Sequence, residues 1–381
     1  MKYISNATKL TMVLIAMTTM MSNIAIITAL PHLKDYFVDE QNIEFLARLM
    51  VTIPSLAIAF LAPFLGHFVY KIGRKKSALI ALFLFAISGS SGLYLETMNL
   101  LLSSRFLLGI SIAILMIVST SLVGDYFKGE ARNKFMGIQG AFISLGGVIF
   151  VVGGGILSDI NWRYSFTIYM ISFLLIPLVY KFLDEKIIIE NNNEDDSDIN
   201  SNLFIIYFLA FLLMLVFYIL PTQIPFLIIN HFGASGTMTG SIIATAFISN
   251  AIGAITFRKL KFKFSFVQIY LIGMGIISIG FIAIGTVSNV HFFFLTAPIM
   301  GFGGGILMAN MTAWMLSRAH HTKRIHSSAY LTSSLFLGQF FSPILLHPVV
   351  SFFGVKDFFR IVGIFVGVVT ITALFAIRSF K

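Results

Sequence analysis

Long apolar stretches recur along the whole chain, and each is long enough to cross a membrane as a helix. The hydrocarbon core of a bilayer is about 30 Å thick, which about 20 apolar residues span in helical form. The chain contains twelve such stretches, separated by polar segments. We therefore predict twelve transmembrane spans, at approximately residues 8–30, 44–66, 77–95, 99–124, 134–157, 164–183, 202–229, 236–257, 265–286, 290–316, 328–348 and 358–378.

One polar stretch divides these spans into two groups of six. EKIIIENNNEDDSDINS, residues 185–201, is rich in Asn and acidic side chains, which is typical of a solvated linker. We predict an N-terminal six-helix bundle over residues 1–184, a cytoplasmic linker over 185–201 and a C-terminal six-helix bundle over 202–381.

The two groups of spans also resemble each other in sequence. LLGISIAILMIVSTS, residues 107–121, aligns without a gap with IMGFGGGILMANMTA, residues 299–313, and the same offset of 192 residues places Gly146 on Gly338. A constant register over spans 4 and 5 indicates two parallel repeats, an organisation found in secondary transporters whose halves rock against each other. The predicted fold class is an all-α membrane protein of twelve transmembrane helices in two pseudo-symmetric six-helix bundles.

Composition excludes several other classes of protein. Hydrophobic residues make up 57% and charged residues 11% of the chain, whereas soluble domains have about 25% charged residues. No cysteine is present, so there is no disulfide and no thiol nucleophile. The pair His320–His321 lies in a basic loop without metal-ligand spacing. We predict no metal site, no cofactor and no enzymatic activity.

The net charge of +10 is distributed unevenly over the loops. If the N-terminus is cytoplasmic, cytoplasmic segments hold 20 of the 26 Lys and Arg residues. The positive-inside rule then predicts a multi-pass protein of a bacterial cell membrane with both termini in the cytoplasm. The excess of basic residues therefore reflects the orientation of the loops in the membrane and does not indicate a nucleic-acid partner. Lys2 and Lys9 precede span 1 as in a signal peptide, but eleven further spans favour an uncleaved anchor.

Four cations lie within six positions between spans 2 and 3, in the stretch GHFVYKIGRKK, residues 66–76. This stretch resembles the signature loop of the major facilitator superfamily, roughly Gly-x-x-x-Asp-Arg-x-Gly-Arg-Lys. Gly66, Gly73, Arg74 and Lys75 match, whereas Tyr70 stands where the family has Asp.

Three further stretches resemble the drug:proton antiporter branch of this superfamily. SRFLLGISIA is similar to its span-4 motif through Arg105 and Gly109, NWRYSF (161–166) to the start of span 6, and ITALPHL to the end of span 1. The span-5 motif departs from the branch, because Phe150 and Val151 replace its Gly-Pro. The resemblance implies proton-coupled transport of small molecules, and the departure weakens the antiporter assignment.

The resemblance also implies a cytoplasmic latch. Two glycines, Gly66 and Gly73, permit a close helix approach and a tight turn. Arg74 can donate paired hydrogen bonds to a carboxylate, and the resemblance points to Asp125 at the end of span 4. Such a pair holds one side of a transporter shut in one state and releases it in the other. Lys75 completes the latch; the alternative is that these cations only set topology.

Arg105 is the main candidate for transport chemistry. It lies about 9 Å inside span 4, where an arginine points into the bundle or snorkels outward. Its repeat position is Ala297, so the fold does not require an arginine there. Polar side chains inside other spans can bond a substrate or a neighbouring helix, and in the superfamily spans 1, 4, 7 and 10 line the central cavity. These candidates are Asn23, Tyr218, Gln223, Asn310, Gln139 and Gln339.

Acidic side chains are missing from the middle of every predicted span. A pump for lipophilic cations usually has such a carboxylate. Proton coupling then uses Arg105 indirectly, uses an outer-end acid such as Glu44, or is absent. Glu44 and Arg48, spaced i, i+4, predict an exposed interfacial salt bridge, and His347 is expected at the interface.

We predict a secondary active transporter that works as a monomer in the lipid bilayer and exports small amphipathic compounds in exchange for protons. One alternative is a dedicated exporter of a single metabolite, such as a metallophore or a sugar-like compound. A uniporter or importer is another, and counterflow without a proton gradient distinguishes it from an antiporter. A receptor on the same scaffold would have lost the latch and the polar residues of the cavity.

Overall fold

A computed structural model describes residues 4–184, 201–319 and 324–379 of the chain. The described residues are almost entirely helical and include no β-strand. The chain forms two compact units, Met1–Ser197 and Asp198–Lys381. Residues 185–200 of the predicted linker, and the pair His320–His321, lie outside the described residues, and the predicted domain boundaries stay a prediction.

Each unit is built from long helices joined by short turns. The helices of the first unit are α1 Asn6–Ile24, α2 Leu33–Tyr36, α3 Ile43–Ile72, α4 Arg74–Gly89, α5 Met98–Tyr126, α6 Gly129–Ile160 and α7 Ile171–Phe182. Those of the second are α8 Ser201–Phe217, α9 Ile219–Pro225, α10 Gly236–Lys261, α11 Phe266–Thr286, α12 Phe293–Arg318, α13 Arg324–Phe353 and α14 Val355–Ser379. Shorter helical turns are the 3-10 segments Ile27–His32, Ser90–Leu93, Trp162–Met170 and Val290–Phe292, and the π-helical segment Phe226–His231.

Eleven helical segments in the described part of the chain are long and apolar enough to cross a membrane. The segment that corresponds to the first predicted span, α1, is not among them, because Lys9, Asn23 and several threonines lower its hydropathy. Nevertheless α1 packs against α5, α6 and α7 and is an integral part of the first bundle. The predicted fold class, a helical multi-span membrane protein, is confirmed.

Span 7 is broken near its middle. Helix α8 ends at Phe217 and α9 begins at Ile219. Pro221 explains the break, because its ring lacks an N–H and clashes with the carbonyl of the residue four positions earlier, which is Phe217. A π-helical segment begins directly after Pro225. Pro221 and Pro225 thus coincide with the two interruptions of regular α-helix in span 7.

The two units pack their helices in the same order. The pairs α3–α5, α4–α5, α1–α6 and α4–α7 of the first unit correspond to α10–α12, α11–α12, α8–α13 and α11–α14 of the second. A Cβ on Gly109 would overlap the carbonyl of Pro54, and a Cβ on Gly301 would overlap the carbonyl of Ala246. Gly109 and Pro54 each lie 192 positions before their counterparts in the second contact, Gly301 and Ala246. Glycine therefore allows the same close helix crossing in both repeats.

Candidate functional site

Helices α3 and α4 are joined by a single residue, Gly73. Its φ of 97° and ψ of 153° lie in a region that is essentially restricted to glycine. The Gly73 N–H donates to the carbonyl of Val69 at 3.0 Å, and the Ser77 N–H donates to the carbonyl of Gly73 at 3.0 Å. Gly73 thus makes the tight turn that was predicted for the latch.

Gly66 has open space beside it within the first unit. A Cβ at Gly66 would meet no atom within 4 Å. No helix among the described residues of the first unit therefore approaches Gly66 closely, and the close helix approach expected at this residue stays a prediction.

Alanine substitutions at the two glycines are expected to have different effects. Gly73→Ala places a side chain in a strained backbone conformation, which costs on the order of 1–3 kcal/mol. Gly66→Ala adds a methyl group in open space, and we expect stability close to wild type. Thermal unfolding of the two purified variants in one detergent measures the difference. Equal melting temperatures would contradict this account of the turn.

The structure brings together the two charged residues of the predicted latch. Arg74 begins α4, Asp125 lies in the last turn of α5, and Arg74 Nε is 3.2 Å from Asp125 Oδ2. Their side chains are only 16% and 13% exposed, so water screens the pair incompletely. The Arg74 Nε–H makes no hydrogen bond, so this contact links the start of α4 to the end of α5 as an ion pair and not as the hydrogen bond that was expected.

Lys75 and the end of α7 extend this cluster. Lys75 Nζ lies 5.1 Å from the centre of the Tyr180 ring, a cation–π distance, so this lysine contacts α7 rather than a carboxylate. The Asp184 N–H donates to the Tyr126 hydroxyl at 3.1 Å, which ties the end of α7 to the end of α5. The ends of α4, α5 and α7 are thereby held together at the latch.

Arg105 is completely buried inside the first unit. Its Nη2 donates to the carbonyls of Ser88 at 3.2 Å and Gly89 at 2.7 Å, and to the Ser91 hydroxyl at 3.1 Å. The guanidinium lies over the rings of Phe166 and Tyr169, at 4.9 and 5.2 Å from their centres. Arg105 therefore joins α5 to the end of α4 and to the Trp162–Met170 segment and does not snorkel to the surface.

The Arg105 guanidinium uses only part of its donor capacity. Its Nε and Nη1 are buried and have no hydrogen-bond partner, and no carboxylate of the described residues forms an ion pair with it. A buried donor without a partner costs about 1–3 kcal/mol. The Tyr169 side chain is a further hydrogen-bond partner of the Arg105 guanidinium, and the donors on Nε and Nη1 motivate a functional hypothesis beside this structural role.

The predicted polar residues of the first unit lie between its helices. Gln139 on α6 donates through Nε2 to the hydroxyl of Ser119 on α5 at 2.7 Å. Asn23 is buried near the end of α1. Gln139 thus links two neighbouring helices of this unit, which is one of the two roles considered for it.

The predicted polar residues of the second unit are buried or half-buried. Asn310 donates through Nδ2 to the carbonyl of Phe266 at 3.1 Å, which links α12 to the start of α11. Gln339 Nε2 lies 3.6 Å from Met214 Sδ, and Tyr218 lies at the break of span 7. The amide oxygens of Gln223 and Asn310 are buried without a hydrogen-bond partner. Both oxygens are acceptors that a donor group of a substrate can satisfy.

The environment of Arg48 differs from the exposed salt bridge that was expected. Arg48 is fully buried, while Nη2 lies 3.4 Å from Oε2 of the partly exposed Glu44. Lys34 Nζ donates to Glu44 Oε1 at 2.9 Å. Glu44 therefore lies between two cations, one buried and one exposed.

Sequence reasoning did not identify Arg163 as an organising residue. Arg163 Nη1 donates to the carbonyls of Gly92 at 2.6 Å and Leu95 at 3.1 Å, and Nη2 donates to the Tyr36 hydroxyl at 2.9 Å. Its guanidinium also lies 4.6 Å from the centre of the Trp162 ring. The only signal was the motif NWRYSF, which does not reveal partners so distant along the chain.

Comparison with protein-family models and curated proteins identifies relatives along the chain. The model of the Major Facilitator Superfamily matches residues 12–206 and 206–380. Multidrug resistance protein 1 of Bacillus subtilis (strain 168) is 27% identical over 311 residues, which cover 78% of each chain. The riboflavin transporter RibZ of Clostridioides difficile (strain 630) is 28% identical over 149 residues, 39% of this chain and 33% of that protein.

Solved structures share the fold at low sequence identity. The nucleoside transporter NupG matches with a TM-score of 0.80 at 14% identity, covering 98% of this chain and 100% of that chain. A bacterial homolog of the human lysosomal transporter Spinster, in an inward-facing and occupied conformation, matches with a TM-score of 0.78 at 16% identity, covering 97% and 96%. The family model spans both halves of the repeat, and the helices pack as a multi-span bundle in each unit. The chain therefore belongs to the major facilitator superfamily and is a membrane transporter rather than an enzyme.

Proposed function

We propose that this transporter exports small amphipathic compounds in exchange for protons by alternating access. The observation that carries the proposal is the ion pair between Arg74 and Asp125, partly shielded from water at the ends of α4 and α5. A pair of this kind stabilises one conformation and is broken in another, which is what a gated transporter requires. The glycine turn at Gly73 supports it, because the turn fixes where Arg74 enters α4.

The proposed substrates are small, apolar or amphipathic and not strongly cationic. Two relatives named multidrug resistance proteins, from Bacillus subtilis (strain 168), are 27% and 29% identical over their aligned regions, and this supports a drug-type substrate range. The 41 Phe and 17 Met residues give the chain many flexible apolar surfaces. Gln223 and Asn310, with unpartnered amide oxygens, are the proposed acceptors for polar groups of the compound. The other proposed contacts are Asn23, Tyr218, Gln139 and Gln339.

Proton coupling is proposed to involve Glu44 and Arg105. Glu44 is a carboxylate bonded to both Lys34 and Arg48 and is partly exposed, so a proton can reach it and change the charge balance of the group. Arg105 has two buried donor atoms, Nε and Nη1, that can donate hydrogen bonds to a new partner in another conformation. We place the protein in the bacterial plasma membrane as a monomer with both termini in the cytoplasm, because the loops are basic on that side.

A dedicated exporter of one neutral or anionic metabolite is the second candidate. It is favoured by the charge of the interior, because the only charged side chains that the described residues bury fully are two arginines, Arg48 and Arg105. A riboflavin transporter is among the relatives. A lipophilic cation is disfavoured by two buried positive charges, whereas a carboxylate or carbonyl group is favoured.

Compound accumulation in cells tests the proposal. The transporter is expressed in cells that lack their own efflux pumps, and accumulation of a panel of cationic, neutral and anionic compounds is measured with and without a protonophore. We expect reduced accumulation of neutral and anionic amphipathic compounds, reversed by the protonophore because export then loses its driving gradient. A response to a single metabolite alone would move the dedicated exporter to first place. Export that continues in the presence of the protonophore would contradict proton coupling.

A further inference from the structure

An open apolar groove runs along the surface of the first unit between α4 and α7. Its volume is 690 Å³, and its walls come from Leu79, Ile80, Phe83, Leu84 and Ile87 of α4 and from Ile176, Pro177 and Tyr180 of α7. Ile80, Phe83 and Ile87 are about half exposed, and Tyr180 is 70% exposed. Both walls belong to segments that can cross a membrane. An aqueous substrate path needs polar lining groups, so this groove is suited to a lipid chain instead.

The stripe of groove residues on α4 continues into two lysines. Positions 75 and 76 precede Leu79 and Ile80 by four residues, so the lysines lie one helical turn away on the same face. Lys75 Nζ lies over the ring of Tyr180, which forms the same end of the groove. Lys76 is exposed and has no hydrogen bond or ion pair among the described residues. The positive charge at this end of the groove is partly exposed, whereas Arg105 near the other end is buried and bonded to the carbonyls of Ser88 and Gly89.

Other charged groups lie near this end, among them the exposed side chains of Lys71 and Asp184. Arg74 contacts Asp125, and Lys181 Nζ lies 5.5 Å from the centre of the Phe182 ring. No acidic side chain lines the groove. From Leu79 to Ile87 the groove extends about 12 Å along α4, the length of a substantial part of an acyl chain.

From this arrangement we propose that the groove between α4 and α7 binds an anionic phospholipid, with the phosphate at Lys75 and Lys76 and an acyl chain along Ile80 and Leu84. The apolar walls fit the chain, and the two lysines fit the negative headgroup. A zwitterionic lipid offers the same chain without net negative charge, so the site selects by headgroup. The lipid holds α4 to α7 beside the Arg74–Asp125 pair and thereby stabilises the conformation in which that pair is closed.

Lipid titration of the purified full-length protein tests this proposal. Phosphatidylglycerol or phosphatidylcholine is titrated into the detergent-solubilised protein, and native mass spectrometry counts retained lipids while thermal unfolding reports stabilisation. Each lysine near an anionic lipid contributes about a fivefold affinity difference, so Lys75→Gln with Lys76→Gln is expected to weaken phosphatidylglycerol binding about thirtyfold. Ile80→Trp fills the groove, keeps both lysines and is expected to weaken binding as well.

A matched control removes the same charge elsewhere. Lys261 Nζ lies 4.1 Å from the centre of the Phe266 ring and Lys263 is exposed, so this pair in the second unit also has one lysine over an aromatic ring and one in solvent. Lys261→Gln with Lys263→Gln is expected to bind phosphatidylglycerol like wild type. Equal retention of the two lipids by wild type would overturn the proposal. So would unchanged binding in either groove variant, or an equal loss in the control.

Discussion

Replacing Arg105 with alanine is expected to lower the export rate per transporter molecule at least tenfold. The substitution removes a fully buried guanidinium that satisfies the Ser88 and Gly89 carbonyls and the Ser91 hydroxyl. The Ser91 hydroxyl keeps its hydrogen bond to the Ser104 hydroxyl at 2.6 Å, whereas each buried carbonyl that loses its partner costs about 1–3 kcal/mol. It also removes the two donors, Nε and Nη1, that we assign to a new partner in another conformation. Accumulation normalised to membrane abundance measures the loss.

Two further variants separate coupling from folding at Arg105. Arg105→Lys keeps the charge but loses the planar guanidinium that reaches several acceptors and lies over two rings, so we expect most of the export loss to remain. Ser103→Ala, at an exposed position on the same helix, is the matched control and is expected to resemble wild type. Wild-type export by a stable Arg105→Ala protein would remove Arg105 from the transport mechanism.

Breaking the latch between Arg74 and Asp125 is expected to have the second-largest effect on the export rate. Arg74→Ala or Asp125→Ala removes a partly buried ion pair of about 1 kcal/mol, which corresponds to a change of about fivefold in a conformational equilibrium. The end of α5 should then be open in a larger share of molecules, and export should fall. The chain contains no cysteine, so a single cysteine at exposed Thr120 on α5 is the only thiol. Its labelling rate with a membrane-impermeant maleimide reports the opening.

Lys71→Ala is the matched control for the latch. It removes one positive charge from an exposed residue three positions before Arg74 and is expected to leave labelling and export unchanged. Arg74→Lys is expected to fall between wild type and Arg74→Ala, because lysine restores charge without the guanidinium geometry. If Lys71→Ala and Arg74→Ala behave alike, the cations of this segment only set topology.

The helices could be predicted from the sequence because apolar length is a strong signal in a membrane protein. Span 4 was predicted at 99–124 and is observed as Met98–Tyr126. The repeat was visible because Gly109 and Gly301 are each required by a close backbone contact. Family resemblance supplied Asp125 as the partner of Arg74, and the two are 3.2 Å apart.

Side-chain environments were harder to predict, because they depend on contacts between residues that are distant in sequence. The i, i+4 spacing of Glu44 and Arg48 predicted their contact but not that Arg48 is fully buried. Gly66 matched the family motif, yet a Cβ there would meet no atom of the first unit's described residues within 4 Å. Arg163 has the Tyr36 hydroxyl as a partner 127 positions away, and spacing along the chain carries no information about such a contact.

Transport into proteoliposomes tests the central claim, proton-coupled export, most directly. Purified protein is reconstituted into vesicles with an acidic interior, and uptake of a compound identified in the cell assay is followed over time. We predict accumulation above the external concentration, lost when a protonophore dissipates the pH gradient and slower with Arg74→Ala. Uptake that only equilibrates the compound across the membrane, with no dependence on the pH gradient, would contradict the account and identify a uniporter.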